Sequence, residues 1–205
     1  MIDEQTEKRP SSFWKELPIL LGVALLVAFL VRTFVMQTFY IPSESMQHTL
    51  DLNDRVLVNK LVYDFRTPKR GEIIVFVAPF EWTHNPKGED YIKRVIGVGG
   101  DTVKCCDEQG RLLINGAPLD EDYLLGPVSP HEFEITVPKG RLWVMGDNRA
   151  SSGDSLQHWR NSKEDIMVGT VPEDRLVGRA FAIFWPLDRS RWLSVPDAYE
   201  AVPDP

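Results

Sequence analysis

Apolar and polar positions divide this chain into two parts with different rhythms. Across 19–31, thirteen consecutive residues carry no polar side chain. With Leu17, Pro18 and the flank Thr33-Phe34-Val35-Met36, the apolar segment 17–36 spans about 30 Å as a helix, the thickness of a bilayer core. Beyond it the apolar runs are short. Residues 55–60 alternate like a half-buried strand, and 71–78 read as a buried strand entered by a Pro-Lys-Arg-Gly turn. Further strands are predicted at 91–98, 101–106, 111–114, 133–137, 141–145 and 176–185, with turns at Gly99-Gly100, Gly110 and Asn115-Gly116. Residues 79–90 and 117–131 read as loops. Residues 150–165 read as a short helix or an inserted loop, and 194–205, with three prolines, as a frayed end. The predicted fold is mainly β: one strongly coiled antiparallel sheet behind one N-terminal transmembrane helix.

The apolar segment has three competing readings. A buried core helix would carry a polar face, and this one has none. A cleaved leader needs small residues at its end. The basic flank Lys8, Arg9 and Lys15 suits one, but Val31-Arg32-Thr33-Phe34-Val35-Met36 is bulky and offers no Ala-x-Ala site. An uncleaved signal-anchor is therefore the expectation, with Trp14 at one interface and Arg32 at the other. More basic residues precede the span than follow it. The expected division is a cytoplasmic tail over 1–16, the span over 17–36 and an extracytoplasmic domain over 37–205.

Composition narrows the function. The chain has 205 residues and a net charge of −7, which argues against a nucleic-acid partner. Fourteen glycines and 15 prolines favour many short strands over a helical bundle. Its two cysteines, Cys105 and Cys106, are adjacent, so no zinc spacing exists. Free thiols on opposite faces of a strand are the expectation, with a vicinal disulfide as the alternative. Asp101, Asp147 and Asp154 read as salt-bridge or turn residues rather than a metal site, and no cofactor motif is present.

Ser45 follows the span in Ile41-Pro42-Ser43-Glu44-Ser45-Met46, on backbone stiffened by Pro42. A serine needs a base to attack an acyl carbon. None of the four histidines stands in a triad signature. Lys93, among Ile92, Val95 and Ile96, offers two readings. By periodicity it is a strand-edge lysine with its ammonium in water. If buried, its pKa falls and it becomes a neutral base.

Five motifs, in order over 17–186, decide between these. They are Ile41-Pro-Ser-Glu-Ser-Met-Gln-His-Thr-Leu50, Arg70-Gly-Glu-Ile-Ile-Val-Phe76, Tyr91-Ile-Lys-Arg-Val-Ile-Gly-Val-Gly-Gly-Asp101, Met145-Gly-Asp-Asn-Arg-Ala-Ser-Ser-Gly-Asp-Ser155, and Gly178-Arg-Ala180 with Ile183-Phe-Trp-Pro186. Together they resemble the bacterial type I signal peptidases, membrane-anchored Ser-Lys endopeptidases. The resemblance implies cleavage of signal peptides from exported preproteins after Ala-x-Ala sites, beside the bilayer and near the export translocon, with no cofactor or metal. It implies Ser45 as nucleophile, Lys93 as general base, and Ser152 orienting Lys93. The oxyanion hole would be the Ser43 hydroxyl and the Ser45 N–H. Asp147 and Arg94 would pair behind the base, and Asp154 would structure the last loop. Phe39, Ile41, Pro42, Met46, Leu50, Tyr91 and Ile92 would line pockets for small substrate residues. Four positions depart from the family's usual pattern: Glu44 for Gly, His48 for Pro, Gly99 for Pro, and Leu156 for Arg. The alternatives are a self-cleaving repressor-type hydrolase, which would lack the span, and a non-catalytic anchored binding domain, which would not need Ser45, Lys93 and Ser152 together. An aromatic loop at Phe80 and Trp82 would either touch lipid or pack inside.

Overall fold

The computed structural model describes residues 13–129 and 131–205. The tail 1–12, with Lys8 and Arg9, lies outside the described residues, as do the side chains of Trp14 and Lys15. Helix α1 (Phe13–Leu30) leads through a π-helical turn at Val31–Val35 into strand β1 (Met36–Tyr40). There follow β2 (Arg55–Asn59), α2 (Val62–Phe65), β3 (Ile73–Val77), α3 (Phe80–Thr83) and β4 (Asp90–Val98). Next come β5 (Thr102–Cys105), β6 (Leu112–Ile114), β7 (Ala117–Leu119), β8 (Phe133–Thr136) and β9 (Arg141–Met145). The chain continues with α4 (Ser155–Asn161), α5 (Ile166–Gly169), β10 (Val171–Pro172), β11 (Leu176–Trp185) and β12 (Arg191–Trp192).

The fold is mainly antiparallel β, but it is not one strongly coiled sheet. Eight strands form one sheet in the order β1-β2-β11-β3-β4-β9-β10, with β12 on β11, and four form a second in the order β7-β6-β5-β8. Both are open. The division falls at Gly99-Gly100, where the chain turns out of β4 and starts β5 in the second sheet instead of pairing back on β4.

Burial explains the order. Strand β3 sits between β11 and β4, and Ile73, Ile74, Val75 and Phe76 are all buried, as a central strand requires. In β2, Val56 and Val58 alternate inward toward Ile41, Met46, Leu50 and Val75. The second sheet closes on the first through Val103, Leu112, Ile114, Leu119 and Phe133 against Ile96 and Trp143, with Trp159 of α4 in the same cluster.

Several expectations need correction. The helix does not run to residue 36. Met36 is already strand, paired with Asn59, and Lys60 N–H bonds the Val35 carbonyl. Backbone partners from β2 capture this end, so ladder bonds override the apolar pattern. At about 1.5 Å per residue, α1's 18 residues measure about 27 Å. Among the described residues, no helix is long and apolar enough to cross a membrane. Yet Leu17, Ile19, Leu20, Leu21, Val23 and Leu25 are all exposed along it.

Cys105 and Cys106 are joined as a disulfide rather than free. Strand β5 ends at Cys105, so the pleat does not hold Cys106 to the opposite face. The C-terminal segment is not frayed either. A 3-10 turn at Asp197–Ala201 buries Tyr199, Val202 is buried beside it, and Arg70 and Asn115 donate to the Val202 and Pro203 carbonyls. Trp82 packs edge-on to Phe76 and stacks on His158, while Phe80 stays half exposed. Residues 150–165 hold a helix, α4.

Candidate active site

Two segments far apart in sequence meet in a cleft of about 660 Å³. One is the chain leaving β1, from Phe39 to Ser45. The other is the first half of β4, from Asp90 to Lys93. Lys93 Nζ lies 2.7 Å from Ser45 Oγ, and the amine also donates to the Ile92 carbonyl at 3.1 Å. Both residues are buried, Ser45 at 6% exposure and Lys93 at 4%. Ser43 Oγ stands 3.4 Å from Ser45 Oγ.

Burial sets the charge of this lysine. Loss of solvation lowers the Lys93 pKa from 10.5 to about 8, against the opposing pull of Asp154 and then Asp147. The difference corresponds to about 3 kcal/mol between the two protonation states. At neutral pH a usable fraction of Lys93 is therefore an amine with a free lone pair. A hydroxyl 2.7 Å away is in reach to donate its proton.

The next residue on β4 behaves in the opposite way. Alternation turns Arg94 to the back of the sheet. There it donates to both Asp147 carboxylate oxygens, at 2.8 and 2.6 Å, and to the Gly71 carbonyl at 2.9 Å. Thr49 Oγ1 donates to Asp147, and the Arg94 guanidinium lies 4.0 Å from the centre of the Tyr123 ring. Asp147 raises the Arg94 pKa against the burial that opposes it, and the group stays charged. Two hydrogen bonds tie the nucleophile loop to the segment after Asp147. Asn148 N–H donates to the Ser45 carbonyl and Asn148 Nδ2 to the Glu44 carbonyl, both at 3.1 Å. Gly146 permits this approach: a Cβ there would run into the Ser45 carbonyl and Ser152 Oγ.

The family model described as "Signal peptidase, peptidase S26" matches residues 14–185. The chain belongs to that signal peptidase family. The signal peptidase I of Leptolyngbya laminosa is 43% identical, over 87% of this chain and 83% of the relative. A probable signal peptidase I-2 of Synechocystis sp. is 38% identical over 97% of this chain and 86% of its own length. The signal peptidase I of Mycobacterium tuberculosis is 38% identical over 91% and 77%. A solved signal peptidase I from Enterococcus faecalis is 31% identical over 56% of this chain and 97% of that one, with a TM-score of 0.42. This chain is thus a hydrolase of the signal peptidase I type, a protease acting on signal peptides.

Several side chains of this signal peptidase sit differently from what the resemblance implies. Ser152 Oγ is buried against Gly146 without a hydrogen-bond partner, and Lys93 bonds the Ile92 carbonyl instead. Met46 and Leu50 are wholly buried in the core beneath the cleft and are absent from its lining. Phe39, Ile41, Pro42, Tyr91 and Ile92 are on it. Among the described residues, no guanidinium pairs with Asp154. Asp154 caps α4 by accepting from the Leu156 N–H at 3.2 Å and also accepts from the Gly146 N–H at 3.0 Å. Among the described residues no group of three or more acidic, His or Cys side chains is placed to hold a metal.

The sequence reading missed Thr49, which bonds Asp147, Asn148, which holds the nucleophile loop, and Tyr123, whose ring lies against Arg94. It also missed Glu89 and Asp90 on the cleft. Tyr123 and Glu89 lie in segments read as loops, where no periodicity signals a partner.

Proposed function

We propose that this protein is a Ser-Lys endopeptidase that releases signal peptides from exported preproteins after Ala-x-Ala sites. The observation that carries this reading is the 2.7 Å separation of Ser45 Oγ and a buried, easily deprotonated Lys93 amine. Ser45 Oγ attacks the scissile carbonyl carbon while its proton passes to Lys93 Nζ. The carbonyl oxygen takes up negative charge, met by the Ser45 N–H and the Ser43 hydroxyl, each donor worth about 3 kcal/mol. Collapse breaks the C–N bond, and Lys93 gives its proton to the leaving amine. Water, deprotonated by the same amine, then hydrolyses the acyl-enzyme.

Ser152 orients Lys93 once substrate displaces the present bonds; its unpartnered hydroxyl supports that role. Asp147 and Arg94 brace the base strand from behind, and Asp154 holds the loop carrying Ser152. Phe39, Ile41, Pro42, Tyr91 and Ile92 shape the pockets, with Met46 and Leu50 as the floor beneath. Such walls select small side chains by excluding large ones.

The exposed apolar surface of α1 supports a membrane anchor that begins near residue 17 and ends before β1. The tail 1–16 is then cytoplasmic, and 37–205 forms the outer peptidase domain at a bacterial plasma membrane, near the translocon. Anchoring enzyme and membrane-held substrate together raises effective concentration.

The test is cleavage of an Ala-x-Ala precursor in detergent by wild type, Ser45→Ala and Lys93→Ala, with the new N-terminus sequenced. Cleavage after the last alanine by wild type alone is the expected outcome. Substantial activity in a folded Lys93→Ala variant would show that the base is elsewhere.

A further inference from the structure

The lining of the cleft is asymmetric in charge. Glu44, Glu89 and Asp90 all face it, and all three are exposed. Asn85 Nδ2 donates to Glu89 at 3.2 Å, but none of the three carboxylates takes part in an ion pair among the described residues. Among the described residues, the only cation on the lining is Lys93, which is buried and bonded to Ser45. A peptide entering the cleft therefore meets negative charge that no ion pair among the described residues neutralises. Concave sites with low-dielectric walls concentrate such a field.

The backbones carrying these groups are fixed. The Glu44 carbonyl is held by Asn148, the Glu89 carbonyl accepts from the Ala78 N–H at 2.8 Å, and Asp90 pairs with Val77 in the sheet. Their distances from the dyad differ. Glu44 adjoins Ser45, with Cα atoms about 3.8 Å apart. Asp90 precedes Lys93 by three residues of extended strand, or about 10 Å, and Glu89 by one residue more. An extended peptide advances about 3.3 Å per residue. On a substrate lying extended along the cleft, Glu44 would fall within about two positions of the scissile bond, and Glu89 and Asp90 about three or four positions away.

We propose that Glu44, Glu89 and Asp90 are specificity residues, giving the cleft a preference for substrates with Lys or Arg at these two distances and a bias against Asp or Glu there. This rests on the peptidase reading of the same site. The neutral Ala-x-Ala site provides the cleavage point, and the carboxylates rank the substrates that carry one.

The test uses the full-length protein in detergent at low salt and a family of Ala-x-Ala peptides. The two alanines of the site stay fixed, and one other position at a time is Ala, Lys or Glu, from four residues before the scissile bond to four after it. Wild type is expected to show kcat/KM about fivefold higher for Lys than for Glu at the two predicted distances. The ratio should fall at 0.5 M salt, because exposed charges are screened. In the variant combining Glu44→Gln, Glu89→Gln and Asp90→Asn it should drop to within about twofold of unity. Glu44→Lys alone should reverse the preference next to the scissile bond and keep it at the far position. Equal cleavage of Lys and Glu peptides by a wild type that cuts the neutral peptide would overturn the inference and leave the peptidase reading intact. So would an unchanged ratio in the triple variant. A wild type that cuts none of the peptides would overturn both.

Discussion

Lys93 and Arg94 are adjacent cations on one strand with opposite fates. Lys93 faces a cleft where its close partners are a hydroxyl and a carbonyl, and burial lowers its pKa to about 8. Arg94 faces the back, where Asp147 holds it bidentately and keeps it charged. Both are almost fully buried, 4% and 2% exposed, so burial alone does not decide the outcome. The partner does. A buried cation beside a carboxylate stays charged and can serve as a brace, whereas one beside neutral oxygens gives up its proton more easily, as the proposed base must. Guanidinium suits the first role because it does not give up its proton, and the lysine amine suits the second because it does so readily.

Breaking the contrast at the base should have the largest effect. Lys93→Arg keeps a cation but removes any group able to accept a proton, so cleavage should fall by at least about a thousandfold in a folded protein. A preprotein assay with circular dichroism as the folding control would show it. On the other face, Asp147→Ala leaves Arg94 buried and unpaired, and should cost about 3–5 kcal/mol in a denaturant titration.

Lys93→Met should act the other way on stability. The unfolded chain binds this proton up to pH 10.5, whereas the folded one releases it above about 8. The folded state is therefore penalised wherever the unfolded lysine is protonated. The penalty is fully present below pH 8 and disappears as pH rises to 10.5. Lys93→Met should be more stable than wild type by about 2–3 kcal/mol at pH 7, with that advantage shrinking between pH 8 and 10.5. Denaturant midpoints across pH test the sign.

The smallest effect concerns the tuning of the base. Wild-type kcat/KM should rise with pH through about 8 as Lys93 loses its proton. Asp154 is the larger of the two charges raising this pKa. Asp154→Asn, which keeps an acceptor for the α4 cap, should move the midpoint down by less than about one pH unit. A midpoint that stays put or rises would show that the charge does not reach the base.

Much of the site is legible in the linear sequence because its chemistry is carried by residue type. A serine after Pro42, a lysine among apolar neighbours, and strands at 55–60, 71–78 and 91–98 are visible as pattern. Other features depend on who is near whom. Met46 and Leu50 stand in the nucleophile motif, but the turn after Ser45 sends both into the core. The end of the apolar segment is claimed by β2, which no hydropathy pattern could announce.

The sequence by itself determined the mainly β character and the family, and singled out Ser45 and Lys93 as the candidate reacting groups. Those follow from local periodicity and from the chemistry of single side chains. Tertiary structure alone decided the charge of Lys93, the split into two sheets, the bond between Cys105 and Cys106, and the acidic lining of the cleft. Each depends on solvent exclusion or on a neighbour brought close by folding. Ser45 and Lys93, 48 residues apart, become a pair only when β4 and the chain leaving β1 line the same cleft.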